Sequence, residues 1–258
     1  MDHVPVTGAS VGKPTAVLVT GAAGGIGREI AFSLGRRGVA VLVNDVDPGR
    51  VSAVVKELRA AGVDAADALF DVRSTSEANT AVAKLLERYD IDGLVNNAGA
   101  WVVKPFHKSD RSDWEQDIEL NLYGVLTVTR AVIEGMMARG GGSIVSVVSD
   151  AARVGDPTAP PYAAAKGAVI SFSKSIAQAY GRKGIRANCV ALGVIETPRT
   201  ESMLSDEKIR TALLKRYPAG RLGKPSDVAA TVAFLLSDKA DWITGQVLPV
   251  NGGYSMIG

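Results

Sequence analysis

The sequence contains very little cysteine and histidine. Among its 258 residues there are one cysteine, Cys189, and two histidines, His3 and His107. A single cysteine excludes an internal disulfide, and with it the class of small secreted proteins whose folds depend on disulfides. These three side chains are also too few for a structural zinc cluster. We therefore expect a protein of a reducing compartment, with no bound metal.

An excess of charge of one sign and long apolar runs are lacking as well. The chain has 29 basic and 27 acidic residues, a net charge of +2, so its charge gives no argument for nucleic acid or membrane surfaces as partners. Its longest apolar stretches fall short of the ~20 residues that a membrane helix needs. Its first ten residues lack the basic and apolar regions of a signal peptide. We expect a cytoplasmic protein that acts on a small molecule.

Short β-branched runs alternate with longer amphipathic stretches along the chain. Most of the runs are continuously apolar, as in strands that are covered on both faces, and we predict strands at 16–20, 40–44, 64–70, 93–96, 143–148, 185–190 and 246–250. Helices are predicted near 25–37, 48–61, 75–88, 110–139, 160–183 and 225–237. This alternation predicts an α/β fold with one Rossmann-type, doubly wound parallel sheet of about seven strands.

The ends of several predicted helices carry the expected boundary residues. Asp47 and Pro48 have the pattern of an N-cap and a first helical residue, while Gly38 and Gly62 stand where C-terminal caps belong. Residues 1–14 are polar and aperiodic, and we interpret them as a flexible N-terminal arm. No linker divides the remainder, so residues 15–258 are interpreted as a single domain.

A glycine-rich stretch follows the first predicted strand. Gly21, Gly25 and Gly27 have the spacing G-x-x-x-G-x-G before a predicted helix. Glycine lets the backbone approach a pyrophosphate without a Cβ in the way, and free N–H groups at the helix start can bind the phosphates. The alternative is a tight turn that binds nothing. A similar stretch at 7–12 has no strand before it and Pro14 after it, so we assign it no cofactor role.

Acidic residues follow the next two predicted strands. Asp45, about twenty residues after the glycines, can accept hydrogen bonds from both ribose hydroxyls of an adenosine and would repel a 2′-phosphate. No basic residue stands within the glycine turn or directly after Asp45, so NAD is favoured over NADP. The alternative for Asp45 is a solvated strand end. Asp71 can accept a hydrogen bond from the adenine amino group or, alternatively, cap the next helix.

A tyrosine and a lysine stand four residues apart in a predicted helix. Tyr162 and Lys166 therefore share one helix face, and a lysine ammonium lowers the pKa of a nearby phenol, so that it can act as an acid or base near neutral pH. Ser149 ends the strand predicted at 143–148, where parallel sheets bind ligands. Its hydroxyl can hydrogen-bond a substrate oxygen. Each of these residue types alone is commonplace.

Together these residues resemble the short-chain dehydrogenase/reductase family, over essentially residues 15–253. The turn at 20–27 is similar to the family's cofactor turn, and the motifs at 96–99 and 250–253 to its later strand motifs. Asn121, Ser149, Tyr162 and Lys166 match its catalytic positions. The family has Pro-Gly at the positions of Leu192 and Gly193, and we expect this departure to loosen the following loop.

The resemblance implies a role for each matching residue. Tyr162 would be the general acid/base, Lys166 would lower its pKa and bind the nicotinamide ribose, and Ser149 would polarise the reacting carbonyl. Asn121 would hold a water that relays protons to Lys166, or else is a helix-bending polar residue. Besides Tyr162 and Lys166, the implied NAD-binding set comprises Gly21, Gly25, Ile26, Gly27, Asp45, Asp71, Val72, Asn97, Ala98, Gly99, Ile195 and Thr197.

The segment at 195–221 would be a lid over the substrate. It is rich in basic residues, which fits a phosphate-bearing carrier such as coenzyme A, although a solvated helix of mixed charge explains the same composition. The run at 149–155 is similar to dehydrogenases of alicyclic hydroxyacyl-CoA substrates, and 218–223 to 3-oxoacyl-carrier-protein reductases. We therefore favour oxidation of a secondary alcohol or a 3-hydroxyacyl thioester with NAD.

Three alternatives to this function stay open. They are a non-catalytic dinucleotide-binding sensor, an NADP-dependent 3-oxoacyl-carrier-protein reductase, and related chemistry such as epimerisation or dehydration. The resemblance further implies a homotetramer, in which apolar residues of the helices at 110–139 and 160–183 pair across a two-fold axis. The alternative is that these residues serve only the core of one subunit.

Overall fold

Seven strands form one fully parallel sheet in the computed structural model, which describes residues 13–257. The strands are β1 (Thr15–Val19), β2 (Ala40–Asp45), β3 (Ala65–Leu69), β4 (Asp90–Asn96), β5 (Gly142–Ser149), β6 (Ile185–Leu192) and β7 (Val247–Val250). Their order is β3-β2-β1-β4-β5-β6-β7. All seven predicted strands are confirmed. The predicted N-terminal arm at 1–14 lies outside the described residues except for its last two.

Helices cover both faces of this sheet. They are α1 (Gly25–Gly35), α2 (Pro48–Ala60), α3 (Thr75–Leu86), α4 (Arg111–Ile118), α5 (Gly124–Ala138), α6 (Ala151–Val154), α7 (Pro160–Tyr180), α8 (Pro198–Leu204), α9 (Glu207–Leu214) and α10 (Pro225–Leu236). One apolar core contains residues of α1, α2 and α10, and another, on the opposite face, residues of α3 and α5. The doubly wound fold class is confirmed.

The predicted boundary residues act as expected. Asp47 accepts hydrogen bonds from the backbone of Gly49 and Arg50 at the start of α2, and Gly38 and Gly62 adopt φ values of +81° and +80°. Strand β1 is continuously buried from Ala16 to Val19, because helices pack on both of its sides.

The long helix predicted at 110–139 is interrupted. After α4 the chain makes a π-helical turn at Glu119–Tyr123, and α5 begins at Gly124. Such turns insert one residue into a helix and are common at functional sites. The sequence prediction missed this interruption because a single inserted residue hardly disturbs an apolar pattern. It also missed the short helices α6, α8 and α9.

The sheet order reverses between β1 and β4, whose chain directions are the same. Connections run outward from this pair in both directions, which leaves a crevice at the carboxyl ends of the two strands. The segments that follow β1, β4, β5 and β6 meet at this edge. Within residues 13–257, no helix combines the length and the apolar character needed to cross a membrane.

Near the amino end of β4, away from the crevice, Asp92 is a buried acid. It is 3% exposed, and neither carboxylate oxygen has a hydrogen-bond partner among the described residues. Burial raises the pKa of Asp92 to about 7, and the charge of Arg139 acts in the opposite direction. Because the folded protein holds this proton and the unfolded chain releases it near pH 4, stability falls as pH rises toward 7.

Asp92→Asn should remove this pH dependence. We expect the variant to melt a few degrees above the wild type at pH 8 and at nearly the same temperature at pH 4, since the neutral forms are alike. Thermal unfolding followed by circular dichroism measures the difference. Asp67→Asn, at an exposed position of β3, is the matched control. Parallel pH profiles for the wild type and Asp92→Asn would contradict the assignment.

Candidate active site

The glycine turn joins β1 to α1 and requires glycine at specific positions. Gly21 and Gly25 have φ values of +61° and +51°, in the left-handed region that side chains disfavour. A Cβ on Gly27 would overlap the carbonyl oxygen of Gly21 and lie 2.5 Å from Asn97 Nδ2. The predicted turn is therefore present, with a bare backbone at the start of a helix. Ile26 lies in the first turn of that helix.

Thr20 and Asn97 fasten this turn to the end of β4. Thr20 Oγ1 accepts hydrogen bonds from the backbone N–H groups of Asn97 and Ala98 at 2.9 and 3.0 Å. Asn97 Nδ2 donates to the carbonyl oxygens of Thr20 and Gly21 at 2.9 and 3.2 Å. The Asn97 amide thus shapes the turn, and a direct contact of Asn97 with a ribose stays a prediction.

Asp45 lies beside the turn, as expected for the adenosine end of a dinucleotide site. Its carboxylate accepts hydrogen bonds from the backbone of Ala23 at 3.4 Å and of Val46 at 2.9 Å. Two features fit a bound nucleotide here. One is this carboxylate, and the other is the open space beside the glycine backbone, which a Cβ would occupy.

The structure also brings a basic residue to this point, which the sequence argument for NAD did not consider. Arg50, in the first turn of α2, donates from Nη2 to the carbonyl oxygen of Ala23 at 3.2 Å. A Cβ on Gly24 would overlap the Arg50 guanidinium. The expectation considered only residues adjacent in sequence to the glycines and Asp45. The predicted start of a helix at Asp47 and Pro48 was the available signal, because it places Arg50 in the first turn of α2, close to the end of β2 and the glycine turn.

Asp71 and Val72, after β3, have partners within the protein. Asp71 forms an ion pair with Arg73, with a shortest distance of 2.6 Å, and hydrogen bonding to Arg73 lowers the pKa of the Asp71 carboxyl. Asp71 does not cap the next helix, because Ser74 accepts the hydrogen bond at the start of α3. Val72 is buried beside Gly124. The adenine contact of Asp71 stays a prediction.

The loop after β6 closes against the glycine turn. Thr197 Cγ2 lies 3.8 Å from the position of a Cβ on Gly25, and the buried Ile195 forms a bridge with Gly223. Leu192 does not loosen this loop, contrary to our expectation. It continues β6 to its end, and the next residues are held by hydrogen bonds from Gly193 N to Val250 O and from Val194 N to the Tyr217 hydroxyl.

The expected catalytic pair lies at the start of α7. The Lys166 side chain is buried, and Nζ donates to the carbonyl oxygen of Val147 at 3.1 Å. It lies 5.8 Å from the centre of the Tyr162 ring. Burial lowers the pKa of Lys166 to about 8, so the ammonium form predominates at pH 7.

Ser149 ends β5 beside Tyr162. Burial raises the pKa of Tyr162 to about 12, while a hydrogen bond with Ser149 and the charge of Arg199 oppose this rise. The Tyr162 pKa is therefore raised here, because burial is the largest influence on it, and its lowering by Lys166 stays a prediction. At pH 7 the phenol is protonated and can donate to a carbonyl oxygen.

Asn121 lies in the π-helical turn and faces the same centre. Its Nδ2 donates to the carbonyl oxygens of Ala100 and Asp117 at 2.6 and 2.9 Å. Its Oδ1 is buried and has no hydrogen-bond partner among the described residues. A Cβ on Gly99 would lie 2.8 Å from Asn121 Oδ1 and 3.2 Å from Lys166 Nζ. A buried acceptor without a partner fits a bound water between Asn121 and Lys166.

Trp101, which the sequence prediction missed, and Arg199, one of the basic residues of the predicted lid, complete this side of the site. The Trp101 ring lies 5.7 Å from the Tyr162 ring, and Arg199 Cζ lies 4.7 Å from the centre of Trp101. The position of Trp101, two residues after the strand motif at 96–99, was the available signal. Among residues 13–257, no three His, Cys, Asp or Glu side chains come together as metal ligands.

Comparisons with known proteins agree with this geometry. A family model described as enoyl-(acyl carrier protein) reductase matches residues 21–255. The (2S)-[(R)-hydroxy(phenyl)methyl]succinyl-CoA dehydrogenase subunit of Thauera aromatica is 38% identical over 93% of this chain and 96% of its own. The 3-oxoacyl-[acyl-carrier-protein] reductase of Thermotoga maritima is 37% identical over 92% of this chain and 96% of its own.

A solved structure gives the same result for the fold. The gluconate 5-dehydrogenase of Burkholderia cenocepacia, in complex with NADP and tartrate, superposes with a TM-score of 0.90 at 35% identity. The match covers 94% of this chain and 95% of that one. The similarity therefore extends over the whole sheet and both sides of the crevice.

Gly27→Ala tests whether the bare backbone of the turn is required. Because a Cβ would overlap the Gly21 carbonyl, we expect NADH to bind at least tenfold more weakly, a loss of about 1.4 kcal/mol or more. Isothermal titration calorimetry measures the affinity. Gly181→Ala is the control, since a Cβ there meets nothing within 4 Å at a φ of −58°. An unchanged affinity in Gly27→Ala would show that the turn does not bind the cofactor.

Proposed function

The chain belongs to the short-chain dehydrogenase/reductase family, and we propose that it is an NAD(H)-dependent oxidoreductase that interconverts a secondary alcohol and a ketone. One observation carries the proposal. Ser149 of β5, Asn121 of the π-helical turn, and Tyr162 and Lys166 of α7 come from three elements and converge beside the glycine turn, at the sheet edge where ligands bind. A fold without catalysis would not need this convergence.

Tyr162 acts as the proton donor and acceptor. In reduction its hydroxyl gives a proton to the carbonyl oxygen, and in oxidation its phenolate takes the proton of the alcohol. Ser149, which lies close enough to Tyr162 to lower its pKa, holds the same substrate oxygen and polarises it. The bound nicotinamide supplies or accepts the hydride. The protein has to orient the two reactants and to move one proton.

Lys166 and Asn121 assist the transfer of that proton. The Lys166 ammonium stabilises negative charge on the Tyr162 oxygen. Lys166 Nζ and Asn121 Oδ1 lie on either side of Gly99, and Asn121 Oδ1 has no hydrogen-bond partner among the described residues. This arrangement supports the proposal of a bound water that exchanges protons with Lys166. We assign Asn121 to hold this water. The proton released in oxidation then leaves through Lys166 and the water.

The preference for NAD rests on Asp45, whose carboxylate would repel a 2′-phosphate. Arg50 supports the opposite choice, because its guanidinium lies beside the same turn residue, Ala23. We propose that Asp45 dominates, since it lies at the end of β2 itself and also hydrogen-bonds the turn through Ala23 N. The NADP-dependent reduction of a 3-oxoacyl carrier protein is the alternative that Arg50 favours.

For the substrate we propose a 3-hydroxyacyl or 3-oxoacyl thioester, or an alicyclic alcohol. The Thauera aromatica relative is named as a dehydrogenase of a hydroxyacyl-CoA, and this similarity supports the thioester. Asp150 does not contribute to this choice, because its carboxylate is buried and accepts a hydrogen bond from Asn251 Nδ2 at 2.6 Å. The segment at 195–221, which contains α8 and α9, serves as the lid.

The non-catalytic sensor is not favoured, because the tyrosine, lysine, serine and asparagine are all present. Epimerisation or dehydration would use the same residues and differs only in the substrate. We propose a homotetramer in the cytoplasm. Leu126, Ile170 and Phe172 are half-buried in one subunit and so remain for contacts, whereas Val125 and Val169 are buried in its own core.

Tyr162→Phe separates catalysis from cofactor binding. Without the hydroxyl there is no proton donor, so we expect kcat to fall by about 10²–10⁴-fold while the affinity for NADH stays unchanged. Absorbance at the reduced-nicotinamide band measures turnover over secondary alcohols, hydroxyacyl-CoA thioesters and hydroxysteroids. Tyr180→Phe, at the far end of α7, is the control. Full turnover by Tyr162→Phe would overturn the proposed function.

The choice of cofactor is tested by titration with NADH and NADPH. We expect the wild type to bind NADH more tightly, Asp45→Asn to lose that preference, and Arg50→Gln to weaken NADPH more than NADH, since only NADPH carries the 2′-phosphate. Fluorescence titration gives each affinity. Arg36→Gln, at a residue paired with Glu29, serves as the control. Tighter binding of NADPH by the wild type would show that our interpretation of Asp45 is wrong.

A further inference from the structure

Arg199 is a cation that the mechanism above does not use. It follows Pro198 at the start of α8, within the proposed lid, and its side chain is exposed. Among the described residues it forms no ion pair, whereas Arg210 and Arg221 of the same segment pair with Glu196 and Asp227. Its guanidinium instead lies over the Trp101 ring.

Trp101 places this charge next to the reacting centre. The centre of its ring lies 4.7 Å from Arg199 Cζ and 5.7 Å from the centre of the Tyr162 ring. The sum of these two separations is an upper bound on the distance from Arg199 Cζ to the Tyr162 ring. The charge of Arg199 is felt at the Tyr162 phenol, whose pKa it lowers.

Two further cations of neighbouring segments, Lys104 and Arg153, each lie beside a carboxylate. Lys104, three residues after Trp101, pairs with Asp113 at 2.5 Å, and Arg153 lies 3.7 Å from Asp150. A guanidinium that stacks on an aromatic ring keeps its in-plane N–H donors free, and these match the two oxygens of a carboxylate. Arg199 is therefore available to an anionic ligand.

We propose that Arg199 and Trp101 form a substrate subsite for a carboxylate. Of the two substrate classes proposed above, this selects the alicyclic alcohol over the thioester, as a small hydroxy acid or its oxo form. Trp101 packs against the carbon skeleton, Arg199 binds the carboxylate, and the alcohol carbon lies at Tyr162. The inference rests on the proposed function, since it places the reacting carbon beside that tyrosine.

The reach of the subsite favours a carboxylate on the substrate itself over a phosphate of a carrier. The upper bound on the distance from Arg199 Cζ to the Tyr162 ring is short enough for a small ring or a short chain to span. In a coenzyme A thioester the pantetheine arm separates the phosphates from the reacting carbon, so they would lie beyond this subsite. An uncharged alcohol would leave Arg199 without a partner.

The test compares cyclohexanecarboxylate with cyclohexanecarboxamide as ligands of the NAD-loaded protein, by isothermal titration calorimetry. The two probes have the same size and differ in charge. We expect the carboxylate to bind at least tenfold more tightly than the amide to the wild type, and Arg199→Gln to lose this difference. Arg210→Gln, at a paired arginine of the same lid, should keep it, and Arg199→Lys should keep part of it.

Several results would overturn the proposal. These are equal affinities of the wild type for both probes, no binding of the carboxylate at millimolar concentration, or an unchanged preference in Arg199→Gln. Loss of coenzyme A binding, rather than of carboxylate binding, in Arg199→Gln would assign the subsite to a carrier phosphate and would also overturn it.

The same variants distinguish this inference from the proposed function. Arg199→Gln should raise KM for 4-hydroxycyclohexanecarboxylate at least tenfold and leave KM for its methyl ester unchanged. If neither compound is oxidised although the wild type binds cyclohexanecarboxylate selectively, the proposed reaction fails and the carboxylate subsite stands. If both are oxidised equally well by the wild type and by Arg199→Gln, the reaction stands and the subsite fails.

Discussion

The hydroxyl oxygen of Thr20 accepts hydrogen bonds from the backbone N–H groups of Asn97 and Ala98. It thereby joins the end of β1 to the end of β4, at the point where the order of the sheet reverses. The Asn97 amide completes the link by donating to the carbonyl oxygens of Thr20 and Gly21. The glycine turn and the segment that leads to Trp101 therefore hold fixed positions relative to each other, and the cofactor and substrate sides of the crevice share one anchor.

Burial controls the proton chemistry at the other end of the site. It raises the pKa of Tyr162 to about 12 and lowers that of Lys166 to about 8, so each group is shifted toward its neutral form. Low solvent exposure strengthens the interactions of both groups with neighbouring charges. A positive charge that enters the crevice, or one supplied by Arg199, therefore has a larger effect on the Tyr162 phenol than it would have in water.

The sequence predicted those features that depend on local pattern. The seven strands follow from continuous apolar runs such as Ala16–Val19, and the glycine turn follows from the need for a backbone without Cβ at Gly27. The matched residues Ser149, Tyr162 and Lys166 also lie where parallel topology places them. Arg50 and Trp101 were missed, and Arg199 was noted only as one of the basic residues of the lid, because each contributes through a long side chain that crosses to another element. Such contacts depend on packing, which a residue pattern does not contain.

The π-helical turn at Glu119–Tyr123 sets the rotation of α5 about its axis relative to α4. One residue of an α-helix corresponds to a rotation of about 100°, so the inserted residue offsets α5 from α4 by that angle. With this offset, Asn121 faces the catalytic centre while Val128 and Val132 of α5 face the sheet. A continuous helix could satisfy one of these demands but not both. The number of residues between Asn121 and the core of α5 is therefore set by the geometry of rotation.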